Sequence, residues 1–240
     1  MRNSNLLTVS LALSAAVVAP SLAMGGGVLT WYNDRAAFRA DNKNHGKFLK
    51  GIEDFEESIL EPDRGVPHDD PLDSTTTQFP YPNGILMENI RIQSRKADGT
   101  PRGARGLAAV SAPAFGVTSD VVLANQAVDS LDLIFLDELK SGIGFDVLDV
   151  FGNQTGVDVS VYDLGDNFLG SMVYPGDAAG SNFAGVWSTR AIGRINLFST
   201  GGGAQGADNV EMWVVPEPTS MIALLGGGLM LLARWRRRKA

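Results

Sequence analysis

Two acidic runs carry the densest potential chemistry in this chain. Glu53-Asp54-Phe55-Glu56-Glu57 sets four carboxylates within five residues, and Asp208-Asn209-Val210-Glu211 adds two more with an amide between them. Calcium takes six to eight oxygens from carboxylates, amides and carbonyls, so two such runs meeting at one edge would supply them. A glycosidase asks for less, a pair of carboxylates about 5 to 10 Å apart, but with 27 acidic residues no spacing singles out such a pair. The same alternation of acids is also what an outer strand face turned to water would show.

Other residue types narrow the field. His68-Asp69-Asp70-Pro71-Leu72-Asp73 lacks the glycine and the terminal glutamate of an EF-hand and reads as a solvated loop. His45 lies in Asn42-Lys43-Asn44-His45-Gly46, a turn composition, and two such histidines support no Ser-His-Asp constellation. Gly201-Gly202-Gly203-Ala204-Gln205-Gly206 is not followed by the Lys-Ser or Lys-Thr of a phosphate loop and reads as a connection between strands. Sugar binding would draw on exposed rings, for which Trp31, Tyr32, Tyr81, Tyr174 and Trp187 are available, although aromatics in a β-sandwich more commonly fill the core. The loop Lys96 to Gly106, with Arg102 and Arg105, is basic and flexible enough to meet an acidic polysaccharide.

The chain has 240 residues and a net charge of −7, with 44% hydrophobic and 20% charged residues, the composition of a folded protein. The charge is unevenly spread. One basic residue is Arg2 and five of the 20 lie in the last seven residues, so the stretch between carries −13. Such a surface excludes nucleic acid as the partner, because phosphate binding needs a basic face. Cysteine is absent, which removes disulfides, thiolate zinc sites and cysteine nucleophiles.

The elements that must position these residues are strands. Val121-Val122-Leu123, Leu131/Leu133/Phe135, Ile143/Phe145/Val147, Val157/Val159/Val161, Ile192/Ile195/Leu197 and Val210/Met212/Val214 are strand-sized apolar units with Gly, Asn and Asp between them. This recurrence predicts an all-β, antiparallel sandwich over residues 24–214. One short helix is expected over about Asp34 to Ala40, capped by Asn33 or Asp34. Residues 61–82, rich in proline and aspartate, read as a long polar loop, and Asn83-Gly84 as a turn.

Both ends read as addresses. Residues 1–23 join Arg2 to an apolar stretch from Leu6 to Ala19, with Ser21 and Ala23 placed for a cut before Met24, the pattern of a secretory signal peptide. Residues 215–240 contain Pro216-Glu217-Pro218, 13 apolar residues from Met221 to Ala233, and a tail with Arg234, Arg236, Arg237, Arg238 and Lys239. At 1.5 Å per residue the apolar run spans about 20 Å, short for a hydrocarbon core of about 30 Å. The basic tail belongs on the cytoplasmic side. Triplet, short transmembrane helix and basic tail, behind an N-terminal signal peptide, resemble the PEP-CTERM sorting signal of Gram-negative bacteria that make exopolysaccharide. The resemblance implies export, a membrane-held intermediate, and processing by an exosortase that removes helix and tail as the protein reaches the cell surface or the extracellular matrix.

Ile143 to Ser171, with Phe183-Ala184-Gly185-Val186, Ile192-Gly193-Arg194-Ile195 and Ala207 to Glu211, also resembles the body of PEP-CTERM proteins and, through it, the jelly-roll sandwich of carbohydrate-binding modules. In such jelly rolls the first and last strands lie side by side and their acids often hold a structural calcium ion. That resemblance implies Glu53, Glu56 and Asp208 as calcium ligands. The resulting expectation is an exported, non-catalytic surface or matrix protein that contacts exopolysaccharide. A secreted glycan-active hydrolase on the same scaffold and a purely structural or adhesive matrix protein are the competing readings.

Overall fold

Alternation in the sequence becomes sheet wherever one side of a strand has a core to meet. In the segment Val157–Asp163, Val157, Val159 and Val161 are fully buried while Asp158, Ser160 and Tyr162 point the other way and stay half-exposed. The structure, a computed structural model, describes residues 28–137, 140–151 and 156–215. The expected signal peptide, its cut between Ala23 and Met24, and the triplet, apolar run and basic tail from Pro216 onward lie outside the described residues. Among the described residues no helix is long and apolar enough to cross a membrane.

The strands are β1 (Leu29–Tyr32), β2 (Phe48–Glu53), β3 (Gly65–His68), β4 (Leu72–Asp73), β5 (Ile90–Arg95), β6 (Leu107–Val110), β7 (Val121–Ala124), β8 (Ser130–Phe135), β9 (Lys140–Val150), β10 (Val157–Asp163), β11 (Phe168–Tyr174), β12 (Asn182–Ser188), β13 (Ile192–Ser199) and β14 (Ala204–Val214); α1 is Arg35–Asn44. The first sheet has the order β1-β12-β9-β14-β7-β6-β3, with β2 also paired to β14, and the second has the order β11-β10-β13-β8-β5-β4. All strand pairings are antiparallel. One apolar core lies between the sheets, drawing Ile143, Phe145 and Val147 from one and Leu131, Leu133, Ile195 and Leu197 from the other. Fully burying each such side chain is worth roughly 1.5–3 kcal/mol. The architecture is the expected antiparallel β-sandwich.

The segment 61–82 departs from the expected loop. It contains β3, paired with β6 from Gly65↔Val110 to His68↔Leu107, and β4, paired with β5. β3 is the end strand of its sheet, where Pro67 costs no ladder bond on its open side. The helix is also longer than expected. Asp34 caps it, accepting from the Ala37 N–H at 2.7 Å, and it runs on to Asn44 despite the helix-indifferent Asp-Asn-Lys-Asn ending. Tertiary packing explains the extra turn, since α1 lies on the outer face of the first sheet over a bed of glycines. A Cβ on Gly144 or Gly185 would stand within 3 Å of the Phe38 ring, and one on Gly142 would strike Asn42. Phe38 thereby meets Phe183 and Trp213 in a small separate core under the helix.

Beyond α1 the chain turns at Gly46, with φ of 70°, and buries Lys47 against the Trp187 ring, its Nζ 4.6 Å from the ring centroid. Burial pushes the Lys47 ammonium down to about 8, with Asp41 only partly opposing it. Between pH of about 8 and the unfolded value near 10.5 the unfolded chain then holds more protons than the folded one, so this residue makes stability rise with pH across that window. Lys47→Met is expected to remove that component and to stabilise the protein at neutral pH. Denaturant midpoints of both proteins from pH 7.5 to 10 check this, and parallel pH profiles would refute it.

Candidate functional site

Pairing of β2 with β14 places Glu53 opposite Val210 and brings the two acidic runs to one seam. Glu53 is fully buried, with Oε1 accepting the Phe55 N–H at 3.0 Å and Oε2 accepting the Met87 N–H at 2.8 Å. Burial, with Glu57 adding to it, holds its carboxyl well above the usual carboxylate range against those two N–H donors. Asp208 is also buried, receives the Ser119 hydroxyl at 2.5 Å and the Asn209 N–H at 2.6 Å, and is pushed up to about 6, first by burial and then by Asp146 and Glu56. Glu56 is exposed and accepts the Asp120 N–H at 3.2 Å.

The three sequence candidates Glu53, Glu56 and Asp208 thus share one neighbourhood. The tightest constellation is a different one. Glu53, Asp54 and Glu57 each place a carboxylate oxygen within 4.8 Å of the others. The cause is local, because Phe55 takes φ of 59° and drops its ring into the core, folding the chain back so that Glu57 returns towards Glu53. Facing them from the 78–85 loop is Tyr81, 1% exposed, whose hydroxyl has no hydrogen-bond partner and feels Asp120, Glu53, Glu57 and Asp208.

The acids between the end of β3 and the end of β4 serve the turns around them. Asp69 accepts from the Arg105 N–H, Asp70 from Ser94 and Gly103, and Asp73 from Thr75, while His68 is buried beside Tyr81. Arg102, a sequence candidate for acidic polysaccharide, forms a two-pronged ion pair with buried Asp129. Of the rings considered for sugar stacking, Tyr81 and Tyr174 are buried, Trp31 packs against the core, Tyr32 donates to Asp41, and Trp187 lies between His45 and Lys47.

The open outer face of the second sheet carries the rings that sequence reasoning passed over. Its register aligns Arg95 with Ser130, Asn196 with Ser160 and Asp132, and Arg194 with Tyr162 and Ile134 across neighbouring strands. A groove of about 430 Å³ runs over this face, lined by Arg95, Lys96, Ser130, Tyr162, Asn196 and Phe198 among others. Asp132, fully buried, fixes its floor by accepting from Arg95 at 2.7 Å, Arg194 at 3.1 Å and Asn196 at 2.6 Å. The Arg194 guanidinium lies 3.7 Å from the Tyr162 ring centroid, Phe168 meets the same ring edge-on, and Phe198 is 44% exposed. The signal for these rings was their phase, since Tyr162 and Phe198 directly follow the buried Val161 and Leu197 and so fall on the opposite face of their strands.

No curated protein matches the chain. Residues 214–239 match the family model described as the PEP-CTERM protein-sorting motif, so the last described residues of β14 lead directly into a signal of exported proteins that an exosortase sorts toward the cell surface.

Proposed function

We propose that the sandwich is a non-catalytic binding domain that, once sorted to the surface or the surrounding matrix, holds an acidic exopolysaccharide along the open face of its second sheet. The observation that carries this reading is the groove there. It joins an exposed ring, Phe198, to the amide oxygen of Asn196, the Ser130 hydroxyl and the cation Lys96, on a protein whose overall charge is negative. Rings supply apolar faces for pyranoses, the amide oxygen and the hydroxyl meet sugar hydroxyls, and the cation selects uronate carboxylates. Among the described residues no carboxylate lines the groove, and Asp132 beneath it is locked between two arginines, so the acid and base of a glycosidase have no representative there.

The test is an array of uronate-bearing and neutral polysaccharides probed with the full chain in mild detergent. Retention on the uronate polymers is expected, with the combination Lys96→Ala and Phe198→Ala lowering affinity by about tenfold. Absence of retention on every polymer, or full retention by the double variant, would remove the reading.

A further inference from the structure

Lys47 is the one lysine or arginine buried among the described residues, 7% exposed where the chain passes from α1 into β2. An ammonium carries three N–H donors and a full charge, and taking it out of water is costly unless acceptors and a counter-charge replace the water. Here the Ser141 carbonyl accepts at 3.4 Å, near the limit of a hydrogen bond, and the Trp187 ring covers another side. None of the ion pairs among the described residues includes Lys47. Asp41, the acid whose field it feels, is already engaged by the Tyr32 hydroxyl and by His45. Buried acids such as Glu211, Asp129 and Asp132 are met by arginines of the same chain, whereas this buried cation is left without an acid.

The ammonium borders a cavity of about 390 Å³ between the start of β9, the end of β12 and the turn into β13, whose wall also includes Ser141, Trp187, Arg190, Ala191 and Val215. Two donors in that wall have no hydrogen-bond partner, the Ser141 hydroxyl, on a residue 8% exposed, and the Trp187 indole Nε1. Among the described residues no carboxylate lines the cavity, and the charge of Arg190 is met by Asp163. One positive charge is therefore unbalanced beside two idle neutral donors. Their complement is a single negative charge shared by two oxygens, which is a carboxylate; a phosphate dianion would bring twice the charge that the cavity offsets. Ala191 and Val215 give the remainder of the molecule an apolar side. The volume stands near the low end of ligand pockets, about 300–1,000 Å³, and limits the occupant to one ring or a short chain.

We propose that this cavity binds a small organic monocarboxylate, with its carboxylate on the Lys47 ammonium. A sugar acid and a short aliphatic acid share that chemistry. The site lies on the first sheet and stands whether or not the groove on the second sheet binds glycan.

The full chain in mild detergent is titrated with sodium glucuronate and, separately, with sodium butyrate, using glucose and butanol as neutral counterparts. The indole N–H resonance of Trp187, assigned by its loss in Trp187→Phe, reports the event because the ring stands against the ammonium. A saturable shift is expected with at least one carboxylate and with neither neutral molecule. A response to glucuronate alone assigns the cavity to a sugar acid, and one to butyrate alone to an aliphatic acid. Lys47→Met, which should fold at least as well as the wild type, is expected to weaken binding by about tenfold or more, and Ser141→Ala by about two- to tenfold. The Lys96→Ala/Phe198→Ala variant should bind as the wild type does, which separates this site from the groove. No saturable shift with either carboxylate, an equal shift with the neutral molecules, binding undiminished in Lys47→Met, or binding lost in the groove variant would each overturn the proposal.

Discussion

Phe38→Ala is expected to destabilise the protein by about 3–5 kcal/mol, the cost of deleting a fully buried phenylalanine. Phe38 is 0% exposed and is the hub of the outer core, with its ring centroid 5.5 Å from Tyr32, 5.5 Å from Phe183 and 6.3 Å from Trp213. The bed beneath it cannot close over the gap, because Gly144 and Gly185 have no side chains to move. For a domain of this size the loss corresponds to a fall in Tm of about 6–20 °C. Gly185→Val approaches the same contact from below and should also destabilise, since its Cβ would stand 2.8 Å from Phe183 and 2.9 Å from Phe38. Denaturant unfolding of both variants reads this directly. A cost below about 1 kcal/mol for Phe38→Ala would mean that α1 is not docked on the sheet.

The second large effect is electrostatic. Glu211 is fully buried under α1, where Arg39 grips it through Nε at 3.0 Å and Nη2 at 2.7 Å, and Arg35 reaches both Glu211 at 3.3 Å and Asp146 at 2.7 Å. Arg35→Leu or Arg39→Leu alone leaves one guanidinium in place, so each should cost modestly. Together they strand a buried carboxylate, and the double variant is expected to lose about 3–5 kcal/mol, more than the sum of the single changes. Adding Glu211→Leu should recover most of the loss, because an apolar replacement carries no unpaid charge. Unfolding free energies of the four variants decide it, and a triple variant as unstable as the double would assign the loss to packing of the arginine stems instead.

The strands from β7 onward were legible because long alternating runs such as Val157/Val159/Val161 have few other ways to bury one face. β3 and β4 were not, since Gly65–His68 and Leu72–Asp73 are too short and too proline-rich to carry a period, and only pairing with β6 and β5 makes them strands. The end of α1 was hidden for a similar reason, as its last residues favour no helix and rely on Asn42 resting over Gly142. At the acidic seam, the nearness of Glu53 to Asp208 was anticipated through a resemblance rather than from the residues themselves. The closer grouping of Glu53, Asp54 and Glu57 depends on the left-handed backbone at Phe55, and the arrival of Tyr81 depends on a loop with no local pattern. The groove on the second sheet was within reach of the sequence, because Tyr162 and Phe198 already stood out of phase with the core.

β14 is an interior strand, bonded to β9 along one side and to β7 and β2 along the other, and it runs straight into the sorting motif. A pull arriving through residue 215 is therefore directed along the strand axis. Antiparallel ladder bonds lie perpendicular to that axis, so such a load shears many of them at once instead of unzipping them one by one. In mechanical terms, the chain enters the matched motif through the seam least able to slide.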